Sequence, residues 1–261
     1  MPLLELDEEL RLYFETFGET NNGPWVTLVN GYTRTLTDFK AMARYLSERG
    51  KRVLTFDNRG VGKTDYPPIF TLDDLANDVL ALWKHLHITE SHLLGISFGG
   101  AIAATLAAKQ PPVLKKLMLV STPIDAGFTR IESSSPPRDP KKFTLQYTRY
   151  FSASFLKENS LLVQGFLRQV AKTFLEPESA LGARAQREAM QELDLLPLLS
   201  QIQVPTLVLQ GDSDGIVPVA SAQKIASEIP QSQCEILEGI GHLLLVECPL
   251  RFYQITDGYF S

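Results

Sequence analysis

One stretch of this sequence reads Gly95-Ile96-Ser97-Phe98-Gly99-Gly100, and small residues over 101–107 follow it. An apolar run over 92–97 leads into the stretch. The pattern G-x-S-x-G between a strand and a helix is typical of a sharp turn that lifts a serine hydroxyl clear of a sheet. Glycines surround the serine because such a turn crowds its neighbours. The stretch therefore predicts a strand, a nucleophilic Ser97 and a helix. The alternative is an ordinary strand-to-helix glycine cluster with an incidental serine.

Similar apolar runs recur along the chain and predict the strands of a sheet. Most are continuous in hydrophobicity, which is typical of parallel strands covered on both faces. Helical patterns separate them, for example over 72–86, with Thr71 as a predicted N-cap. Residues 3–17 alternate more and predict an antiparallel hairpin at the sheet edge. The predicted fold is α/β, a mostly parallel central sheet with helices on both faces. Its predicted strands are 26–30, 53–57, 92–97, 117–120, 206–211 and, more weakly, 234–238.

Residues 124–200 interrupt this alternation of strand and helix. A loop rich in serine and proline, 133–137, opens the segment, and no clear strand follows. We therefore expect a core formed by 1–123 and 201–261, with a helical segment inserted between two of its strands. Helical patterns in the insertion cover 141–153, 158–174 and 178–193.

Composition excludes several classes of protein. Hydrophobic residues make up 44% of the chain and charged residues 21%, as in ordinary globular domains. The net charge is -5 and no long basic run occurs, so we expect no nucleic-acid partner. No apolar stretch reaches the ~18 residues that span a bilayer, and the acidic start does not resemble a secretory leader. Cys234 and Cys248 lack metal-ligand spacing. We expect a soluble cytoplasmic protein with a small-molecule substrate, no membrane partner and no metal.

A serine nucleophile needs a base within hydrogen-bond reach and a third group that orients the base. His85 and His87 end a predicted helix, and His92 begins the strand before Ser97, at the far end of the sheet. His242 follows a glycine-rich turn after the last predicted strand. That position lies at the carboxyl edge of the sheet, where sites form in open α/β folds. His242 is therefore the predicted base, with a capping or core histidine as the alternative.

Four segments besides the serine turn resemble motifs of the α/β-hydrolase family, and together they span most of the chain. Asn30-Gly31-Tyr32 resembles the family's H-G-x loop, with asparagine in place of histidine. The loop 56–65 resembles D-x-R-G-x-G-x-S, with Thr64 in the usual serine place. Residues 211–218 are similar to the family's acid loop, and 239–242 to its histidine loop. The order of these motifs is specific for the fold and the catalytic triad, but not for a substrate.

The resemblance also implies the remaining site residues. Asp212 and Asp214 both follow the strand 206–211, and the family places its acid where Asp214 stands. Asp212 is then expected to brace the loop, and Asp125 is an alternative acid because some family members carry it after the preceding strand. The backbone N–H groups of Tyr32 and Phe98 are the expected oxyanion donors.

In the family, a helical insertion after the sixth strand forms a cap over the nucleophile, and 124–200 occupies that place. The insertion is rich in aromatic side chains. Most are expected to pack the cap, and a few to line an apolar pocket with Tyr32 and Phe98. These aromatic residues are Phe128, Phe143, Tyr147, Tyr150, Phe151, Phe155, Phe166 and Phe174.

A serine at this turn argues against the family's haloalkane dehalogenases and epoxide hydrolases, which carry aspartate there. The resemblance implies a serine hydrolase that cleaves a carboxylic ester, lactone or thioester of a small apolar molecule, without a cofactor. Two alternatives stay open: C–C bond hydrolysis or lyase chemistry by the same triad, and a non-enzymatic ligand receptor on this fold.

Overall fold

A computed structural model describes residues 3–6, 10–127 and 139–261. Eight strands, numbered along the chain as β1 (Leu3–Glu5), β2 (Arg11–Phe17), β3 (Trp25–Val29), β4 (Arg52–Phe56), β5 (Ser91–Ile96), β6 (Leu114–Val120), β7 (Thr206–Gly211) and β8 (Ser232–Leu237), form one sheet. Their order in the sheet is β1-β2-β4-β3-β5-β6-β7-β8. Strands β3 to β8 are parallel, while β2 pairs antiparallel with β4 and β1 with β2, as predicted for the hairpin at 3–17.

Helices cover both faces of this sheet, as the apolar runs predicted. One hydrophobic cluster packs α2 (Leu72–His85), α3 (Phe98–Ala108) and α9 (Val219–Glu228) against one face. A second cluster packs α1 (Lys40–Ser47) and α11 (Pro249–Tyr259) against the other. Strand β5 is buried along its whole length, which explains its continuous apolar sequence.

The start of α2 has a clear physical cause. Thr71 caps α2 as predicted, because its hydroxyl accepts the N–H of Asp74 while the Asp74 carboxylate accepts the N–H of Thr71.

A 3₁₀ turn over Leu36–Phe39 precedes α1. A short helix, α10 (Leu244–Glu247), precedes α11. Within the described residues, no helix is long and apolar enough to cross a membrane.

Between β6 and β7 the described residues form helices. The loop 133–137 and Phe128 lie outside the described residues. The ends of the segment meet, because Ala126 N–H donates to Leu193 O at 2.9 Å and Leu195 N–H donates to Ile124 O at 2.9 Å. The helices are α4 (Pro140–Thr148), α5 (Ala153–Glu158), α6 (Ser160–Leu175), α7 (Pro177–Gln191) and α8 (Leu196–Leu199).

The helix predicted over 141–153 is wrong in its second part. Helix α4 ends at Thr148, and a new helix starts after Ser152, whose hydroxyl accepts the N–H of Phe155 at 3.3 Å. Residues 149–152 instead turn towards the core. Tertiary contacts therefore override the helical pattern at this point.

Helix α7 is seated directly on the core loop 57–65. Gly182 and Gly60 approach so closely that a Cβ on either would collide with the backbone of the other. The fully buried Gln186 spans two loops: its Nε2 donates to Arg59 O at 3.0 Å, and its Oε1 accepts the N–H of Thr33 at 2.8 Å. These contacts position the inserted segment over the carboxyl edge of the sheet.

Candidate active site

Ser97 occupies the sharp turn between β5 and α3. Its backbone has φ +55° and ψ -121°, a conformation that costs energy in a non-glycine residue. Hydrogen bonds on both sides hold it there, from Ser97 N–H to Val120 O at 2.8 Å and from Gly100 N–H to Ser97 O at 2.8 Å. The strained backbone presents the serine side chain at the carboxyl end of β5.

The glycines of this turn are required by close packing. A Cβ at Gly95 would collide with the carbonyl oxygen of Gly99, and one at Gly99 would collide with the carbonyl oxygens of Val29 and Asn30. A Cβ at Gly100 would collide with the hydroxyl of Thr122. The crowding inferred from the sequence is thus present at each of the three positions.

His242 and Asp214 are in direct contact. His242 Nδ1 lies 2.7 Å from Asp214 Oδ2, and both side chains are almost fully buried. Asp214 also accepts the N–H groups of Ile216 at 2.8 Å and Val217 at 2.9 Å, and the Gln210 amide at 2.8 Å. The Asp214 carboxylate thus engages Nδ1, and Nε2 is the ring nitrogen left to accept a proton from another group.

The environment of Asp214 stabilises its charged form. Burial alone would raise the pKa of its carboxyl. The electrostatic interaction and hydrogen bond with His242, together with the N–H groups of Val217 and Ile216, outweigh that effect and hold the pKa of Asp214 below its usual value. Asp214 is therefore ionised beside the imidazole at neutral pH.

The other candidate acids and bases lie elsewhere. Asp212 Oδ1 accepts the N–H of Gly239 at 2.8 Å and the hydroxyl of Ser213 at 2.9 Å, so it braces the two loops. Asp125 accepts the N–H of Gly127 at 2.6 Å. His92 lies at the start of β5 and stacks on Phe260 with ring centroids 5.0 Å apart. Of the carboxylates of Asp125, Asp212 and Asp214, that of Asp214 is the one that contacts the His242 ring.

The loop after β3 lies against the serine. A Cβ added to Gly31 would lie 3.4 Å from Ser97 Cβ and 4.0 Å from its Oγ. Asn30, which replaces the family histidine, shapes the loop: its Nδ2 donates to Thr35 O at 2.7 Å, and its Oδ1 accepts Gly31 N–H at 2.8 Å. The loop thus brings Tyr32 to the pocket that Ser97 lines.

Phe98 starts α3 directly after Ser97. The first N–H groups of a helix lack an intrahelical acceptor and carry the positive end of the helix dipole. The ring of Phe98, however, is fully buried in the core and is absent from the pocket lining. The prediction that this ring lines the pocket is wrong, while the proposal for its N–H as an oxyanion donor is unaffected.

The loop 57–65 is held by its own side chains. Asp57 accepts the N–H groups of Leu36 at 2.7 Å and Lys63 at 2.9 Å, and burial raises the pKa of its carboxyl. Arg59 pairs with Asp78 of α2 through two 2.7 Å contacts. The Asp57 carboxylate thus fixes the turn, and Arg59 ties the loop to α2.

A four-residue strap, Arg149 to Ser152, connects the inserted segment to the loops that carry Asp214 and His242. Tyr150 O accepts the N–H of His242 at 2.9 Å, and Arg149 Nη2 donates to Gly215 O at 2.7 Å. Glu247 accepts from Ser152 N at 3.0 Å, from Ser152 Oγ at 2.6 Å and from Gly241 N at 3.2 Å. The strap and Glu247 were not found from the sequence, because the strap's partners lie 66 to 95 residues away along the chain.

Ser97 and His242 line one pocket of about 1030 Å³, part of it open to solvent. Its walls are largely apolar and aromatic, which suits a small organic ligand. The inserted segment contributes Tyr147, Tyr150 and Phe166 from the predicted aromatic set. Phe151 and Phe155 stack on each other within the segment, and the side chain of Phe174 lies outside the described residues.

The pocket also contains charged residues that sequence reasoning missed. Arg34 and Asp38 both line it and form a two-point ion pair. Their position directly after the Asn30-Gly31 loop, the predicted oxyanion loop, is the signal that could have revealed them.

A family model described as the alpha/beta hydrolase fold matches residues 24–249. The chain is 27% identical to 3-oxoadipate enol-lactonase 2 of Acinetobacter baylyi in an alignment that covers 96% of this chain and 93% of that protein. Among solved structures, a thermophilic esterase from Thermogutta terrifontis superposes with a TM-score of 0.82 at 26% identity, covering 98% of this chain and 95% of that one. The enol-lactonase from Burkholderia xenovorans superposes with a TM-score of 0.85 at 23% identity, covers 99% of each chain, and supports the fold alone.

Proposed function

Because the chain belongs to the alpha/beta hydrolase family and is a hydrolase of that fold, we propose that it cleaves a carboxylic ester, lactone or thioester through an acyl-enzyme on Ser97. The observation that carries the proposal is the pocket in which a strained Ser97 lies with a His242 that contacts Asp214. The similarity to an enol-lactonase and an esterase along nearly the whole chain supports the same reaction class.

The mechanism follows from the roles that these groups can fill. Ser97 Oγ attacks the carbonyl carbon while His242 Nε2 takes the serine proton. Asp214 holds the Nδ1–H and stabilises the imidazolium that forms. The carbonyl oxygen becomes an oxyanion, which the N–H groups of Phe98 and Tyr32 stabilise.

The second half of the reaction releases the product. The tetrahedral intermediate collapses, the C–O or C–S bond breaks, and His242 donates its proton to the leaving alcohol or thiol. In a lactone, that hydroxyl stays attached to the acyl group. Water, deprotonated by His242, then attacks the acyl-enzyme and regenerates Ser97.

Two measurements test this function together. A fluorophosphonate should label Ser97, and an ester panel of varied acyl length should give multiple turnovers that Ser97→Ala abolishes. The expected loss is several orders of magnitude with little change in folding, since the serine hydroxyl acts in catalysis. Ser97 labelling without turnover on any ester or lactone would reject ester hydrolysis and favour C–C or lyase chemistry.

A further inference from the structure

The loop that follows β3 contributes an ion pair to the pocket wall. Arg34 Nε lies 2.7 Å from Asp38 Oδ2, and Arg34 Nη2 lies 2.7 Å from Asp38 Oδ1. Both side chains are about one-fifth exposed. The surrounding wall is mainly aromatic and aliphatic, so this pair is a polar feature within an apolar surface.

Neighbouring groups restrict the guanidinium to one orientation. Asn30 Nδ2 donates to Asp38 Oδ2 at 3.1 Å, which fixes the carboxylate. Phe166 of α6 lies beside the guanidinium, with Arg34 Cζ 5.5 Å from the ring centroid. Arg34 N–H donates to Gly31 O at 3.2 Å, so its backbone is held by the loop that packs on Ser97. Little rotamer entropy is left for a ligand to remove.

Arginine has more donors than Asp38 can use. The guanidinium carries five N–H groups in a planar fork, and the two contacts to Asp38 engage only the Nε–Nη2 edge. The side-chain hydrogen bonds of Arg34 to described residues all go to Asp38. The opposite edge, with Nη1, can therefore donate to an oxygen atom in the pocket.

We propose that Arg34 determines substrate specificity by binding a second oxygen acceptor of the substrate, a ketone or carboxylate oxygen remote from the scissile bond. This inference rests on the proposed ester hydrolysis. Asp38 compensates the charge of Arg34, so a neutral carbonyl can be bound as well as a carboxylate. The same turn carries Tyr32 and Arg34, so the remote oxygen and the reacting carbonyl are positioned by one loop.

The test compares methyl esters that differ at the remote end: methyl hexanoate, methyl 5-oxohexanoate and monomethyl adipate. Wild-type kcat/KM should favour the two oxygenated esters by about tenfold or more, as expected for a hydrogen bond to a charged group. Half-esters from succinic to suberic acid should show an optimum length, because the two anchors are fixed relative to each other.

Variants identify the residue responsible. Arg34→Met should reduce the preference for oxygenated esters to a ratio near one, and Arg34→Lys should retain part of it. Asp38→Asn should raise the ratio of monomethyl adipate to methyl 5-oxohexanoate, because the guanidinium charge is then uncompensated. The matched control is Arg184→Met, which removes an exposed arginine of α7 and should leave the ratio unchanged.

Several outcomes would overturn the inference. These are equal wild-type rates on the three esters, an unchanged ratio in Arg34→Met, or an unchanged adipate-to-ketone ratio in Asp38→Asn. If the proposed ester hydrolysis itself is wrong, the result is different: no ester is turned over, although Ser97 still reacts with a fluorophosphonate.

Discussion

The backbone N–H of His242 donates a 2.9 Å hydrogen bond to the carbonyl oxygen of Tyr150. The two rings also meet edge to face, with centroids 5.3 Å apart. Tyr150 belongs to the inserted segment, and His242 to the loop after β8. The segment over the pocket thus helps to hold the proposed base in place, and moving it away would disturb that base as well as uncover the pocket.

Glu247 offers the sharpest test of whether the inserted segment holds His242 in place. One carboxylate oxygen accepts Ser152 N–H, and the other accepts Ser152 Oγ–H and Gly241 N–H. Glu247→Gln places an amide donor against one of these donors. We expect kcat on a good ester to fall about tenfold, because a buried hydrogen-bonded group is left unmatched. KM should change far less, since Glu247 is one residue beyond the pocket lining.

A merely structural role predicts a different result. The labelling rate of Ser97 by a fluorophosphonate should fall in parallel with kcat if Glu247 positions His242. Glu158→Gln, an exposed change on α5, is the matched control. A Glu247→Gln variant with normal labelling and a normal kcat would show that the strap does not position the base.

The proposed acid can be separated from its neighbour. Asp214→Asn should reduce kcat by about 10³-fold to 10⁴-fold, because the imidazolium loses its compensating charge and the favoured tautomer changes. Asp212→Asn should cost less than about tenfold, because the side-chain oxygen of the introduced asparagine can still accept the N–H of Gly239. Steady-state kinetics of both variants decide the matter. A larger loss at Asp212 would reverse the assignment.

The fold could be predicted because its information is local. Parallel strands buried on both faces need continuous apolar runs, and the glycines around Ser97 are required by contacts within one turn and its neighbouring strands. The candidate residues Ser97, Asp214 and His242 each follow a strand at the same sheet edge, so their grouping in space follows from topology.

The remaining parts of the site depend on contacts between distant segments. Gln186 bridges Thr33 and Arg59 across 153 and 127 residues, and no local pattern marks such a contact. The strap at 149–152 leaves the helix because its polar groups find partners in the core. Periodicity describes a helix in isolation and cannot include those partners.

Two glycines at equivalent positions of their helices test how tightly the inserted segment packs on the core. Gly182 of α7 touches the backbone of Gly60, whereas a Cβ at Gly165 of α6 would meet nothing within 4 Å. Gly182→Ala should lower the free energy of unfolding by about 1–3 kcal/mol through overpacking. Gly165→Ala should be neutral or raise it by about 0.5–1 kcal/mol, because glycine is a poor helix former.

Urea titrations of both variants supply the comparison. The esterase rate of Gly182→Ala should also fall, because Gln186 on the same helix holds the loop of Tyr32 through Thr33. Equal stability of the two alanine variants would mean that α7 can shift away from the core loop at no cost.

The free energy of unfolding at acidic pH should depend on His92. This histidine is 8% exposed, stacks on Phe260, and lies near Lys116 and Lys51. Burial and then the two lysine charges lower its pKa from 6.5 to about 4. Below pH 6.5 the unfolded chain binds a proton that the folded protein does not, so stability falls as pH drops towards 4. Above pH 6.5 the contribution vanishes. At pH 5 the loss is about 2 kcal/mol.

Replacing His92 with phenylalanine keeps an aromatic ring against Phe260 and removes the titrating group. The measured quantity is the difference in unfolding free energy between pH 7.5 and pH 5, so any pH-independent effect of the substitution cancels. That difference should be about 2 kcal/mol smaller in His92→Phe than in the wild type. If His92→Phe loses as much stability as the wild type over this range, the buried histidine is not what destabilises the fold in acid.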